Sequence, residues 1–305
     1  MKIEKMLTDE KPPVSVVIVN YNAGACLADC IGSALPQADE ILVVDNASTD
    51  GSIEECLRRF AGLRKLMVIR NPVNSGFAAA CNIGFRRATG DFVLFLNPDC
   101  RLDKAAVAEL LRVLQSDKQA GMAGGFLANP DGTEQRGGRR AVPTPWLSLM
   151  RGFGLSRFAG RLERFSDFNL NVQPVPDLPV QVDAISGACM LVKRKAVEDV
   201  GLWDEGYFLH CEDLDWCMRF RQKGWKILFV PEALVFHALG VCSKSRPLFV
   251  ERHKHRGMIR FYKKFFRHQY PGVLMWAVVL GVWLRFLAVV GLHAVKKFKD
   301  GKRDS

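Results

Sequence analysis

The sequence predicts an α/β fold, a mostly parallel central sheet with helices on both faces. Three observations predict it. Short apolar runs alternate with segments of helical spacing through the first part of the chain. The runs are apolar along their whole length, the mark of strands buried on both faces. Polar residues of unusual type follow the ends of the runs, where open α/β sheets bind their ligands.

Val14–Asn20 (VSVVIVN) is the first strand. Leu27, Ile31 and Leu35 follow at helical spacing, and Pro36 closes that helix. Glu40–Asp45 (EILVVD) is the second strand. Ser52 and Glu55 then form a capping-box pattern, with Ile53, Leu57 and Phe60 as the apolar face of a helix. Leu66–Arg70 is the third strand, and Phe77, Cys81 and Phe85 lie on a helix ending near Gly90. Phe92–Leu96 (FVLFL) is the fourth strand, followed by a helix carrying Val107, Leu110, Leu111 and Leu114. Beyond Asn129–Gly132, a hairpin-type turn, the pattern loosens. Residues 137–183 form a long excursion rich in Gly, Pro and Arg, of the kind that is functional or mobile. Order returns with a strand at Cys189–Lys193, a helix from Glu212 to Lys223 closed by Gly224, and a strand at Lys226–Val230.

Charge is unevenly placed. Residues 251–305 hold 13 Lys/Arg and three acidic residues, so they carry +10 of the total +11. Within them, Val273–Ala294 is apolar except for Arg285 and His293, with basic residues on both flanks. Nucleic-acid arms lack such a stretch, so the partner is an anionic membrane surface and not nucleic acid. The length suffices to cross a bilayer, but Arg285 near its centre costs about 2.5–3.5 kcal/mol there. Basic flanks on both sides keep both ends on one side, so an in-plane or re-entrant helix is favoured over a span. A buried core helix is disfavoured by the same charges. Nine cysteines with no CxxC pair read as reduced, mostly buried thiols. Met1–Pro13 is polar and charged, which predicts no signal peptide and a cytoplasmic protein, peripheral or monotopic at the inner face of the membrane.

No Walker motif and no GxGxxG is present, so phosphate is not cradled by a standard glycine-rich loop. Carboxylates gather instead at strand ends. Their convergence there requires a cation, and Mg2+ or Mn2+ bridging a diphosphate satisfies it. Asp45 is placed to accept from a base imide, or to cap a turn; Asp50 belongs to that site or to the capping box alone. Asn97-Pro98-Asp99 projects a carboxylate past the sheet, and is also a good turn sequence. Glu212-Asp213 begins a helix, where acidic residues suit the dipole. The pair also offers a general base. His237 ends a strand (ALVFH) and suits either a structural role or a metal ligand.

Six blocks stand in one order: VSVVIVNYN with 15–22 at its core, EILVVDNASTDGS (40–52), RNPVNSGFAAACNIGFRRATGDFVLFLNPD (70–99), ISGACMLVKR (185–194), GLWDEGYFLHCEDLDWCMR (201–219) and FHALGVCSKS (236–245). Together they resemble the inverting family-2 glycosyltransferases with a GT-A fold, over residues 14–245. The resemblance implies a catalytic domain at 1–250, with a donor half at 14–127 and an acceptor half at 128–250, and a membrane-associating segment at 251–305. It implies that Asp45 holds the donor base, with Asn20 and Asn22 near the nucleotide and Asn74 and Asn82 lining the donor pocket. Asp99 would contact the metal and the diphosphate, and His237 would complete the metal shell. Asn97 stands where many relatives carry an aspartate, so one ligand is lost. Asp213 would be the catalytic base, with Glu212 second, and Gly187, Trp203 and Asp204 would shape the acceptor side. The blocks are most similar to bacterial rhamnosyltransferases of cell-envelope polysaccharide pathways. That similarity implies dTDP-rhamnose as nucleotide-diphosphate sugar donor and a saccharide or polyprenyl-linked acceptor. A nucleotidyltransferase of similar architecture would carry a glycine-rich basic signature after the first strand, where NYNAGACLADC has neither Arg nor Lys. A non-catalytic sugar-nucleotide-binding membrane protein would not need Asp45, Asp99, Asp213 and His237 intact.

Overall fold

The computed structural model describes residues 12–145, 168–238 and 246–301. The expectations for most of Met1–Pro13, for residues 146–167 of the excursion, for Cys242 and for the end of the last block lie outside those residues.

The first half follows the sequence closely: β1 (Val14–Asn20), α1 (Cys26–Ala34), β2 (Glu40–Asp45), α2 (Ser52–Arg59), β3 (Leu66–Arg70), α3 (Phe77–Arg87) and β4 (Phe92–Leu96). All four strands are parallel, in the order β3-β2-β1-β4. Alternation sends Val16 and Ile18 to one face and Val17 and Val19 to the other, and each face meets its own helices. One core takes Leu27 and Ile31 of α1 and Ile53 of α2; the other takes Ala78, Cys81 and Phe85 of α3. The α2 start differs from expectation. Gly51 (φ +78°) is the cap, and the Ser52 hydroxyl donates to Asp50 Oδ1 at 2.6 Å instead of capping the helix. Leu57 points to solvent, and Cys56 fills the apolar face beside Ile53.

The second half comprises β5 (Cys100–Leu102), α4 (Ala106–Ser116), β6 (Ala120–Ala128), β7 (Arg139–Arg140), β8 (Val180–Gln181), β9 (Ala184–Ile185), β10 (Cys189–Lys193), α5 (Arg194–Val200), α6 (Glu212–Gln222) and β11 (Lys226–His237). The sheet continues from β4 as β10-β6-β11-β5, with β8 on β11. β10 runs antiparallel to both β4 and β6, so the parallel sheet of the first half becomes mixed in the second. β6 (AGMAGGFLA) gave no apolar run to read, because small residues are what its neighbours allow. A Cβ on Gly125 would lie 2.2 Å from the Ala233 carbonyl oxygen. β11 joins the expected strand Lys226–Val230 and the expected strand ending at His237 into one, past Pro231, through a register shift between Val230 and Leu234. Asn129 and Thr133 close the expected tight turn after β6.

Two further helices complete the described fold, α7 (Pro247–Phe266) and α8 (Gly272–Gly301). α7 was not foreseen; it begins just before residue 251. Its Phe261, Tyr262 and Phe266 join the core on the α3 and α6 side. Met275, Val278 and Val282 of α8 pack there too, at helical spacing. Val273, Trp276, Leu280, Leu284 and Leu287 of α8 are exposed. Gly272–His293 is long and apolar enough to cross a membrane (mean hydropathy 2.3), and only 17% of its most apolar stretch is buried. In this chain the helix is mostly exposed, unlike a buried core helix.

Candidate active site

Parallel register aligns the C-terminal ends of β1 and β2, pairing Asn20 with Asp45. Asn20 is fully buried, and its amide donates to Asp45 Oδ1, Ser48 Oγ and Ser52 Oγ, each at 2.9 Å. It therefore fixes the loop that follows β2 and sets the rotamer of Asp45. The Asn22 side chain accepts from the Thr49 amide at 2.8 Å, and its own backbone (φ 53°) donates to Ser48 Oγ at 3.0 Å. Asn46 was not singled out in sequence, yet it is buried and joins the loop after β2 to the loop between β3 and α3: its amide donates to the Gly76 carbonyl and accepts from Asn71 and Ser75. Asn74 accepts from the Gly76 amide at 3.0 Å at the start of α3. Asn82 lies deeper, bonded to the Trp203 carbonyl, the Trp203 amide and Glu205. It ties α3 to the loop 201–211.

Past β4, the Asn97 amide donates to the Ala188 carbonyl at 2.9 Å, and the chain turns so that Asp99 is buried against the end of β11. Asp99 Oδ1 lies 3.2 Å from His237 Nε2, and Cys100 Sγ joins the same group, the three ligand atoms lying within 4.8 Å of one another. Gln135 decides the tautomer of His237. Its Oε1 can only accept, so His237 Nδ1–H donates to it at 2.6 Å. Nε2 then faces the Asp99 carboxylate with its lone pair, an arrangement that needs a proton or a metal cation between the two. A ring nitrogen oriented through its other nitrogen, beside a carboxylate, fits a divalent cation. Without a cation, burial and the charge of Asp99 push the Cys100 thiol well up.

The other carboxylates stand at the start of α6. His210 (φ 67°) and Cys211 (φ 71°) both occupy the left-handed region, and this bend delivers Glu212 and Asp213. Asp213 Oδ2 accepts from Arg140 at 2.5 Å and from the Gly187 amide at 3.3 Å, while Oδ1 accepts from the Leu214 amide at 2.8 Å. Against the opposing effect of burial, the Arg140 guanidinium and these donors hold its carboxyl below the usual carboxylate range. Glu212 is pushed the other way, up to about 8, by burial and by the charge of Asp213. Its Oε2 has no partner among the described residues. Arg140 was missed in sequence because it sits in the irregular excursion, where no periodicity marks it.

Gly187, Trp203 and Asp213 converge: a Cβ on Gly187 would meet the Asp213 Cβ at 3.4 Å and the Trp203 ring at 3.8 Å. The buried Trp203 Nε1–H has no partner among the described residues. Asp204 turns away and is held by Arg260 (2.8 Å) and Lys264 (2.7 Å) of α7, which together lower its carboxyl to about 2 despite burial. The short segment 186–188 thus separates the two carboxylate centres, bonding to Asp213 on one side and to Asn97 on the other.

Residues 15–201 match the profile of Glycosyl transferase family 2. The N-acetylglucosaminyl-diphospho-decaprenol L-rhamnosyltransferase of Mycobacterium tuberculosis is 29% identical over 247 residues, 76% of either chain. Among solved structures, GalNAc-T7 with UDP, GalNAc and Mn2+ superposes with a TM-score of 0.59 at 20% identity, over 82% of this chain and 48% of that one. The chain thus spans about half the length of that enzyme. The mannosyltransferase PcManGT of Pyrobaculum calidifontis, with GDP-Man and Mn2+, superposes with a TM-score of 0.57 at 17% identity, over 96% of this chain and 80% of that one. The fold is that of the GT-A glycosyltransferases, and the chain belongs to glycosyl transferase family 2.

Proposed function

We propose that this glycosyltransferase moves a hexose, with inversion, from a nucleotide diphosphate donor to a saccharide carried on a membrane polyprenyl diphosphate. The observation that carries the reading is the pair of carboxylate centres on either side of residues 186–188, one oriented for a cation and one kept ionised. The Mycobacterium tuberculosis relative supports dTDP-rhamnose as the first donor to test and a lipid-linked acceptor. The exposed apolar face of α8 supports attachment of residues 251–305 to the cytoplasmic face of the membrane.

In this reading Asp45 accepts from the donor base, with Asn20, Asn22 and Asn74 shaping the loops around the nucleotide and Asn82 bracing α3. Asn97 and Asp99 face the diphosphate. A divalent magnesium or manganese ion, held by Asp99 and His237, would offset the charge on the leaving group. Asp213 takes the proton of the acceptor hydroxyl. The hydroxyl oxygen bonds to the anomeric carbon as the carbon–oxygen bond to the diphosphate breaks, its electron pair leaving with the nucleotide. Glu212, whose carboxyl burial and the charge of Asp213 push up, leaves that proton transfer to its neighbour. Gly187 and Trp203 border the acceptor, and Asp204 acts through its contacts to α7. The reading is tested by following nucleotide release from dTDP-rhamnose, UDP-glucose, UDP-galactose and GDP-mannose, with a membrane lipid extract and either metal. Release from one donor, lost with a chelator, supports it; no release from any donor, with no metal-dependent nucleotide binding, sinks it.

A further inference from the structure

A second set of charged groups lies away from the strand ends. Arg256, Arg260, Lys263 and Lys264 fall on one face of α7, and with Ile259 they line an open groove of about 600 Å3 whose other wall is Val279 and Trp283 of α8. Arg260 and Lys264 are engaged by Asp204, and Lys264 also by Asp215. Arg256 and Lys263 pair with no carboxylate among the described residues. Asp215 is also paired with Arg219, so the groove keeps at least two cations, Arg256 and Lys263, over for a dianion. Its apolar wall belongs to the helix that turns Trp276, Leu280 and Leu284 outward, so an alkyl chain leaving the groove meets an apolar surface.

The groove also leads toward the catalytic loop. A second cavity, of about 350 Å3, shares Arg256 and Arg260 with the first and is lined by Gly206, Tyr207 and Phe208 of the loop ending at Glu212. Gly206 lies against the Arg260 guanidinium, which sits over the Tyr207 ring. Phe208 in turn accepts from the Phe77 amide at 2.8 Å, at the start of α3 beside Gly187.

We propose that the groove between α7 and α8 binds the diphosphate of the lipid-linked acceptor. This rests on the acceptor reading above and gives it a place. A diphosphate diester is dianionic and carries its sugar on one side and its isoprenoid on the other. The groove has matching charge, a loop-side opening and a lipid-side wall. A phospholipid headgroup would require no opening toward the loop.

The test is direct binding by the full chain in neutral detergent micelles with chelator present. The probes are farnesyl diphosphate, farnesol and inorganic diphosphate. The expected result is a preference for farnesyl diphosphate over both others of at least about tenfold, lost in the Arg256→Ala/Lys263→Ala double variant and kept in Asp99→Ala. Both altered cations are on the surface of α7, and unchanged donor-nucleotide binding with metal present checks that the variant is folded. Undiminished binding in the double variant overturns the proposal. So does inorganic diphosphate binding as tightly as the isoprenyl form, or competition by phosphatidylglycerol at equal concentration. Because no turnover is needed, a failed donor panel and a failed groove are told apart.

Discussion

Arg140 and burial pull the adjacent carboxylates of α6 in opposite directions, and each direction has a measurable consequence. Asp213 stays ionised, so the acid limb of kcat/KM is expected below the ordinary carboxylate range. Asp213→Asn is expected to lower kcat by roughly 10²–10⁴-fold while nucleotide binding, followed by calorimetry, is retained. Glu212 binds its proton more tightly folded than unfolded. The stability it contributes is full below its unfolded value of 4.5, falls as pH rises, and is lost above about 8. The melting temperature of the native chain should therefore fall relative to Glu212→Gln as pH is raised across that window; parallel melting curves would refute the assignment. Gln135 orients His237 from behind, so Gln135→Leu is expected to weaken Mn2+ binding about 10–100-fold without altering the fold. Titration of the metal against nucleotide checks it.

At the scale of elements, α7 is a clamp on the loop that presents Glu212 and Asp213. A Cβ on Gly257 would lie 2.6 Å from the His210 carbonyl oxygen, backbone that cannot swing aside. Gly257→Ala is expected to cost about 1–3 kcal/mol by thermal melting and to lower turnover as the loop shifts. An unchanged melting temperature would mean that α7 does not bear on the loop. This element also marks where sequence reading stopped. The parallel half was legible because each strand there is buried on both faces and advertises itself as an apolar run. β6 was not, because close backbone packing replaced its apolar residues by Gly and Ala. Asp45, Asp99, Asn20 and His237 were legible as polar residues at strand ends, and Glu212 and Asp213 as an acidic pair opening a helix. Arg140, Gln135 and Asn46 were not, since long-range contacts select them and no local pattern does. α7 hid behind its charges, which long side chains carry on an otherwise apolar helix.

For the whole molecule, the division of α8 into a docked stripe and an exposed face decides how membrane attachment should be tested. Removing the helix would strip Met275, Val278 and Val282 from the core, so loss of binding would not distinguish anchoring from unfolding. Trp276→Glu/Leu284→Glu alters only the outward face. Each buried apolar side chain contributes about 1.5–3 kcal/mol, so partition onto phosphatidylglycerol vesicles is expected to weaken on the order of a hundredfold or more. Cosedimentation measures it, and equal partition by both proteins would sink the attachment.

The antiparallel β10 has a consequence for how the chain is made. Among the described strands, β6 (Ala120–Ala128) pairs with β10 (Cys189–Lys193) and β11 (Lys226–His237), and both leave the ribosome after it. The four parallel strands can assemble as they emerge, while β6 must wait through the whole excursion with its ladder unmet. That interval is when a nascent chain is most open to wrong pairing with its neighbours. Chains stalled between β6 and β10 should be the ones that chaperones hold and that proteases find first.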